Sequence, residues 1–248
     1  MKSDEALTVL TPDATLAQII TADQKAAELL ASIGLNLSSN EDKTLREVCS
    51  QKKWNEEEVM KWIKKSKALY RVNAEDNTDE EKNIFAHNLP KLYDYLEQEH
   101  QPVILNLLSE IGDNFPTVFK IHGNQYTWLK NVHLNFGALN EILRLSLEFR
   151  KEKVFPLMRE VKDQKNEILD GTLKMLSKSI EVIRNDQQKI TRQLAAIMKM
   201  SNGFAIPEGA CTTLRILIHN FKTLNSELKK QFRLEKAFII PAMQTIVQ

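Results

Sequence analysis

Four long stretches between residue 80 and residue 248 carry apolar residues at helical spacing with few breaks, a pattern that leaves little room for any fold but a helical one. Turn-rich β proteins need frequent glycine and proline, and this chain of 248 residues has only 7 of each. Leu, Lys, Glu and Ile fill the stretches instead, and all favour or tolerate helix. The stretches cover about 81–111, 125–154, 163–201 and 209–239. Each ends where a helix is expected to stop: Gly112 to Pro116, Phe155-Pro156, Asn202-Gly203 and Ile240-Pro241. Four such helices with short connections predict an antiparallel four-helix bundle over 81–248. Pro90 and Pro102 lie inside the first stretch and are expected to bend or split it.

The first 72 residues read as a separate small helical domain. Thr11-Pro12-Asp13 marks a break, after which Asp13 or Thr15 can cap a helix. Leu16, Ile19, Ile20, Ala27, Leu30 and Ile33 then follow at helical spacing up to Gly34. Leu45, Val48, Cys49, Trp54, Val59, Trp62 and Ile63 supply further short amphipathic helices. Residues 73–80 are polar and predict the linker.

Charge and cysteine usage exclude several function classes. With 34 basic against 33 acidic residues, no global field draws the chain to nucleic acid or anionic lipid. The basic run Lys61 to Lys67 is interrupted by Trp62 and Ile63, so it reads as the solvated face of a helix. Two distant cysteines, Cys49 and Cys211, build no disulfide framework and fit a reducing compartment. No signal peptide and no apolar run long enough to span a bilayer is visible, so a cytoplasmic protein is expected. The chain has no Gly-x-Ser-x-Gly elbow, no Gly-rich phosphate loop and no Cys-x-x-Cys pair, so it is not expected to be an enzyme. Cys211 sits at an expected helix start and reads as a packed small residue.

The five histidines are the remaining candidates for chemistry. His100 shares a helical face with Leu96, Val103 and Leu107, and His219 lies near Leu217 and Phe221. His87 is expected at the surface, His122 in a connection and His133 on the second bundle helix. Helical bundles hold metals with His and Glu projecting inward from several helices. The spacing His-x-x-x-Glu, which puts both ligands on one face, occurs nowhere in the chain.

The two-part layout nevertheless resembles the bacterial "repair of iron centres" proteins over roughly residues 14–245. These couple a small N-terminal domain bearing two adjacent cysteines to a hemerythrin-like di-iron bundle, and they repair iron–sulfur clusters damaged by oxidative or nitrosative stress. The N-terminal resemblance is carried by Thr15 to Ile20, Gly34 to Ser39 and Lys43 to Cys49, where Ser38 and Ser39 stand in the places of the paired cysteines. Serine is a far poorer nucleophile and metal ligand than thiolate. In the bundle, the segment Tyr95 to His100, the dipeptide His122-Gly123 and the segment Pro207 to Arg215 are similar to the family's.

The resemblance implies seven ligand positions. His100, His122 and Glu235 are retained, whereas Ser146, Arg150, Gln187 and Gln231 replace the others. Without two metal ions, Glu235 would lack a counter-charge, and Arg150 could supply it as a bidentate partner. The expectation is a bundle with a buried Arg150–Glu235 pair and a polar network through Gln187 and Gln231, holding either no metal or one iron ion on His100, His122 and Glu235. The implied role is binding or regulatory, with iron–sulfur proteins or an intact paralogue as partners and homodimerisation through the N-terminal domain. Two alternatives stand beside it: a working metal site rearranged onto His133, Glu141, Glu148 or Glu152, and a purely structural bundle.

Overall fold

The computed structural model describes residues 10–71, 85, 88–163 and 169–248. The chain is all-α, and the described residues form no strand, only an isolated bridge between Thr15 and Thr44. The α-helices bounded by described residues are α1 (Leu16–Ala22), α2 (Gln24–Ser32), α3 (Leu45–Lys52), α4 (Glu56–Arg71), α5 (Leu89–Tyr95), α6 (Gln101–His122), α7 (Trp128–Phe149), α8 (Phe155–Asp163), α9 (Asp170–Met200), α10 (Thr212–Leu234) and α11 (Ile240–Val247). They sort into two compact units. The expected linker 73–80 and His87 lie outside the described residues.

The first unit gathers the N-terminal segment, Glu110–Gln125 and Phe204–Lys222. Two capping boxes start its helices. The Thr15 hydroxyl accepts from Gln18 N–H while the Gln18 side chain accepts from Thr15 N–H, and Thr44 and Glu47 repeat the arrangement. The bridge sets these starts side by side, with Leu16 N–H donating to Lys43 O and Leu45 N–H to Ala14 O. A single helix was expected from Leu16 to Ile33, but it breaks at Asp23. Asp23 leaves helical geometry, and its carboxylate takes the Ala26 N–H at 3.0 Å and the Lys67 ammonium. The core of this unit contains Leu16, Ile19, Leu30, Ile33, Leu45, Val48 and Ile63 together with Ile216, which explains why a segment from late in the sequence belongs here.

Arg215 ties the unit together. Its Nη1 donates to Ile33 O at 3.0 Å, its Nε donates to Ala210 O, and its guanidinium lies over the Trp54 ring at 5.2 Å. Gly34 makes the approach feasible. Its φ is +96°, and a Cβ there would sit 2.8 Å from Arg215 Nη1.

In the second unit, α9 packs against α7 and α11. Leu92, Leu96, Val154, Phe155, Leu176, Ile183 and Met243 lie in its core. Two helical stretches run past the prolines at which the sequence pattern predicts stops. The second stretch continues through Pro156 to Asp163, and the fourth through Pro241 to Val247. The cause is a wide, π-helical turn ahead of each of three prolines: Leu96–His100 before Pro102, Arg150–Val154 before Pro156, and Glu235–Ile239 before Pro241. Each proline is the second residue of the helix that follows, where a missing N–H breaks no regular bond. Pro116 was also expected to end a helix but lies inside α6. Ile111, Phe115 and Val118 are buried around it, and their packing outweighs the local penalty.

Gly34→Ala forces a side chain into the left-handed region and against Arg215. It is expected to destabilise the chain by about 1–3 kcal/mol, measured by urea unfolding.

Candidate functional site

Three helices of the second unit converge on one buried ion pair. Arg150 opens the π turn after α7, and Glu235 opens the π turn after α10. Each side chain is 1% exposed. Arg150 Nε donates to Glu235 Oε1 at 2.5 Å, and Nη2 donates to Oε2 at 3.1 Å, so the guanidinium fork meets the carboxylate in bidentate fashion. Gln231 Nε2, one turn before Glu235 on α10, donates to Oε1 at 2.8 Å. Gln187 Nε2 on α9 donates to Oε2 at 2.7 Å. Each carboxylate oxygen therefore accepts two hydrogen bonds, which fills its in-plane lone pairs.

The other side of the guanidinium is also satisfied. Arg150 Nη1 donates to the Ser146 carbonyl at 2.8 Å and to the Ser146 hydroxyl. That hydroxyl donates to Asp186 Oδ2 at 2.8 Å, and Asp186 itself lies 3.7 Å from Nη1. One cation thus stands between two carboxylates, with the serine linking it to the second. Gln231 Oε1 is buried and has no hydrogen-bond partner among the described residues. Turning that amide over would set an oxygen against Glu235, so its orientation follows from the carboxylate.

Ser146, Arg150, Gln187, Gln231 and Glu235, singled out in the sequence, are brought together in this network. Asp186 was missed. Its only signal was adjacency to Gln187, and neighbouring helix residues usually face different ways.

The retained histidines have other partners. His100 is fully buried at the end of the first π turn, with Nε2 3.2 Å from Glu227 O and Nδ1 3.4 Å from Glu227 Oε2. A carbonyl only accepts, so Nε2 carries a proton. His122 belongs to the first unit, where its Nε2 accepts from Cys211 N–H at 3.1 Å. Its Nδ1 is therefore the protonated nitrogen and faces Gln125 Oε1 at 3.3 Å. His133, Glu141, Glu148 and Glu152 are all exposed. Among the described residues, no group of three or more His, Cys, Asp or Glu side chains is placed to hold a metal ion.

Ser38, Ser39 and Cys49 belong to the first unit. Ser38 and Ser39 are exposed in the turn after α2, where Ser39 N–H donates to Asn36 Oδ1 at 3.2 Å. Cys49 is buried, and burial pushes its thiol up to about 11, which keeps it protonated at neutral pH. His219 meets Trp62 edge to face at 5.1 Å between ring centroids. Burial first, then Lys222 and Lys25, lower its pKa to about 4.

No known protein family matches the chain, and no curated protein matches it. No helix among the described residues is long and apolar enough to cross a membrane.

Two predictions follow from the geometry. Arg150→Met strands a buried carboxylate and is expected to destabilise the chain by about 3–5 kcal/mol. Arg150→Met combined with Glu235→Leu is expected to recover most of that loss in urea unfolding, because the fully buried carboxylate that Arg150 neutralises is then gone as well, and Asp186 is partly exposed to solvent. The second concerns pH. The folded-state pKa of His219 lies below the unfolded value, so the unfolded chain binds an extra proton between pH about 6.5 and about 4. Stability should fall as pH drops through that window, and His219→Phe should flatten the fall in the urea midpoint.

Proposed function

We propose that this chain is a hemerythrin-like four-helix-bundle protein of the iron-centre repair type in which a salt bridge has replaced the di-iron centre. It works by binding another protein when iron–sulfur proteins suffer oxidative or nitrosative damage, and it turns over no substrate of its own. The observation that carries the reading is convergence. Five positions chosen by resemblance, spread from residue 146 to residue 235, meet in one hydrogen-bonded cluster. Ordinary surface residues picked in a wrong register would not do so.

The residues present do not fit a di-iron centre. A guanidinium occupies a ligand position and repels cations, two amides replace strong donors, and both oxygens of Glu235 are taken by N–H groups. Nor do they fit one iron ion on His100, His122 and Glu235. His122 uses its single lone-pair nitrogen on the Cys211 amide, and His100 faces Glu227. The bundle interior keeps a fixed polar arrangement without a metal, which suits a rigid platform for protein contacts.

Metal analysis of chain expressed with added iron and purified without oxygen tests the proposal. The expected result is no stoichiometric iron in a folded helical protein. Cross-linking in cells under nitric oxide stress is then expected to recover an iron–sulfur protein or an intact paralogue. A full di-iron complement, or one tightly held iron ion, would overturn the metal-free reading. Loss of every stress-dependent partner would leave a structural bundle instead.

A further inference from the structure

A second feature of the same unit points to the kind of partner. Between α9 and α10 lies a groove of about 180 Å³. Ile190, Leu194 and Leu228 form its buried floor, and Ala195, Met198 and Phe232 form its sides. Pockets for small ligands and cofactors usually run to about 300–1,000 Å³. This one is smaller, and its size suits apolar side chains delivered by a helix at positions i, i+3 or i+4. It is also concave. Met198 is 42% exposed, while Phe232 is only partly so, and the floor residues do not protrude as insertion into lipid would require.

The charged side chains that α9 and α10 themselves place beside this groove are basic. Helix geometry places Arg192 and Lys199 next round α9 from Ala195 and Met198, and Lys229 and Arg233 beside Phe232 on α10. All four are exposed. Residues 187–200 contain no acidic residue. Residues 223–236 contain two, and both point to interior partners, Glu227 to His100 and Glu235 to Arg150. The near-zero net charge of the chain conceals this local excess.

We propose that the groove receives an amphipathic helix of a partner protein, presenting an apolar stripe flanked by Asp and Glu. Apolar anchors fill the floor, and the acidic flanks meet Arg192, Lys199, Lys229 and Arg233. This inference rests on the groove and its rim alone and does not depend on the metal-free reading of the Arg150–Glu235 site.

The probe is a fluorescent helical peptide with leucines at i, i+4 and i+7 and glutamates on both flanks, titrated with the full chain and followed by anisotropy. The control is the same peptide with lysine in place of glutamate. The Glu-flanked peptide is expected to bind about tenfold tighter or better. Ala195→Glu, at an exposed position, is expected to weaken its binding by about tenfold. Lys229→Glu with Arg233→Glu is expected to reverse the preference between the two peptides. Circular dichroism checks that each variant keeps its helix content. Equal binding of the two peptides, or binding untouched by Ala195→Glu, would overturn the proposal. So would binding confined to vesicles of anionic phospholipid, or sedimentation showing a homodimer that Ala195→Glu dissociates.

Discussion

A carboxylate with almost no solvent exposure, such as Glu235, is tolerable only if its charge is met within a few ångströms and its lone pairs are filled. In this chain Arg150 supplies the charge, and Gln187 and Gln231 supply the remaining donors. Much of the second unit's interior follows from that requirement. Arg150 must be buried to reach Glu235, so its own donors need acceptors, which Ser146 provides. The Ser146 hydroxyl then has a proton to place, and Asp186 takes it. A buried pair of this kind contributes little net stability over an apolar core of the same shape, because desolvation offsets the attraction. Losing one partner alone, by contrast, leaves a buried charge unpaired, which costs far more.

The backbone that presents the pair is as unusual as the pair. Arg150 and Glu235 each open a π turn, and His100 closes a third. Such turns are rare and are frequent at functional sites. Each is followed by a proline as the second residue of the next helix. The wide turn shifts the helix register by one residue, so the proline's missing N–H falls where no regular bond is lost. Local chain chemistry and the placement of the ionic residues are thereby joined in one feature that occurs three times among the described residues.

The all-α class was legible because period and composition agreed throughout. Helix ends were less so. The sequence pattern predicts stops at Pro116, Pro156 and Pro241, yet Ile111, Phe115 and Val118 carry α6 past the first, and π turns absorb the other two. No pattern of apolar residues announces a π turn in advance. Membership of the first unit was also hidden, because Arg215 and Ile216 reach it from far along the sequence. Within the site, Arg150, Glu235, Gln187 and Gln231 were legible through resemblance and charge logic together. Asp186 and Glu227 were not, since each differs from other exposed-looking helix acids only in what it touches.

The most direct test of this account is the hydrogen-exchange rate of the Arg150 Nε–H, read by ¹H–¹⁵N NMR and assigned by loss of its signal in Arg150→Lys. A guanidinium locked in bidentate contact with a buried carboxylate should show one side-chain signal that persists at neutral pH, far slower to exchange than those of exposed arginines. An Arg150 Nε–H exchanging as fast as the exposed ones would contradict the buried pair and, with it, the account of the site.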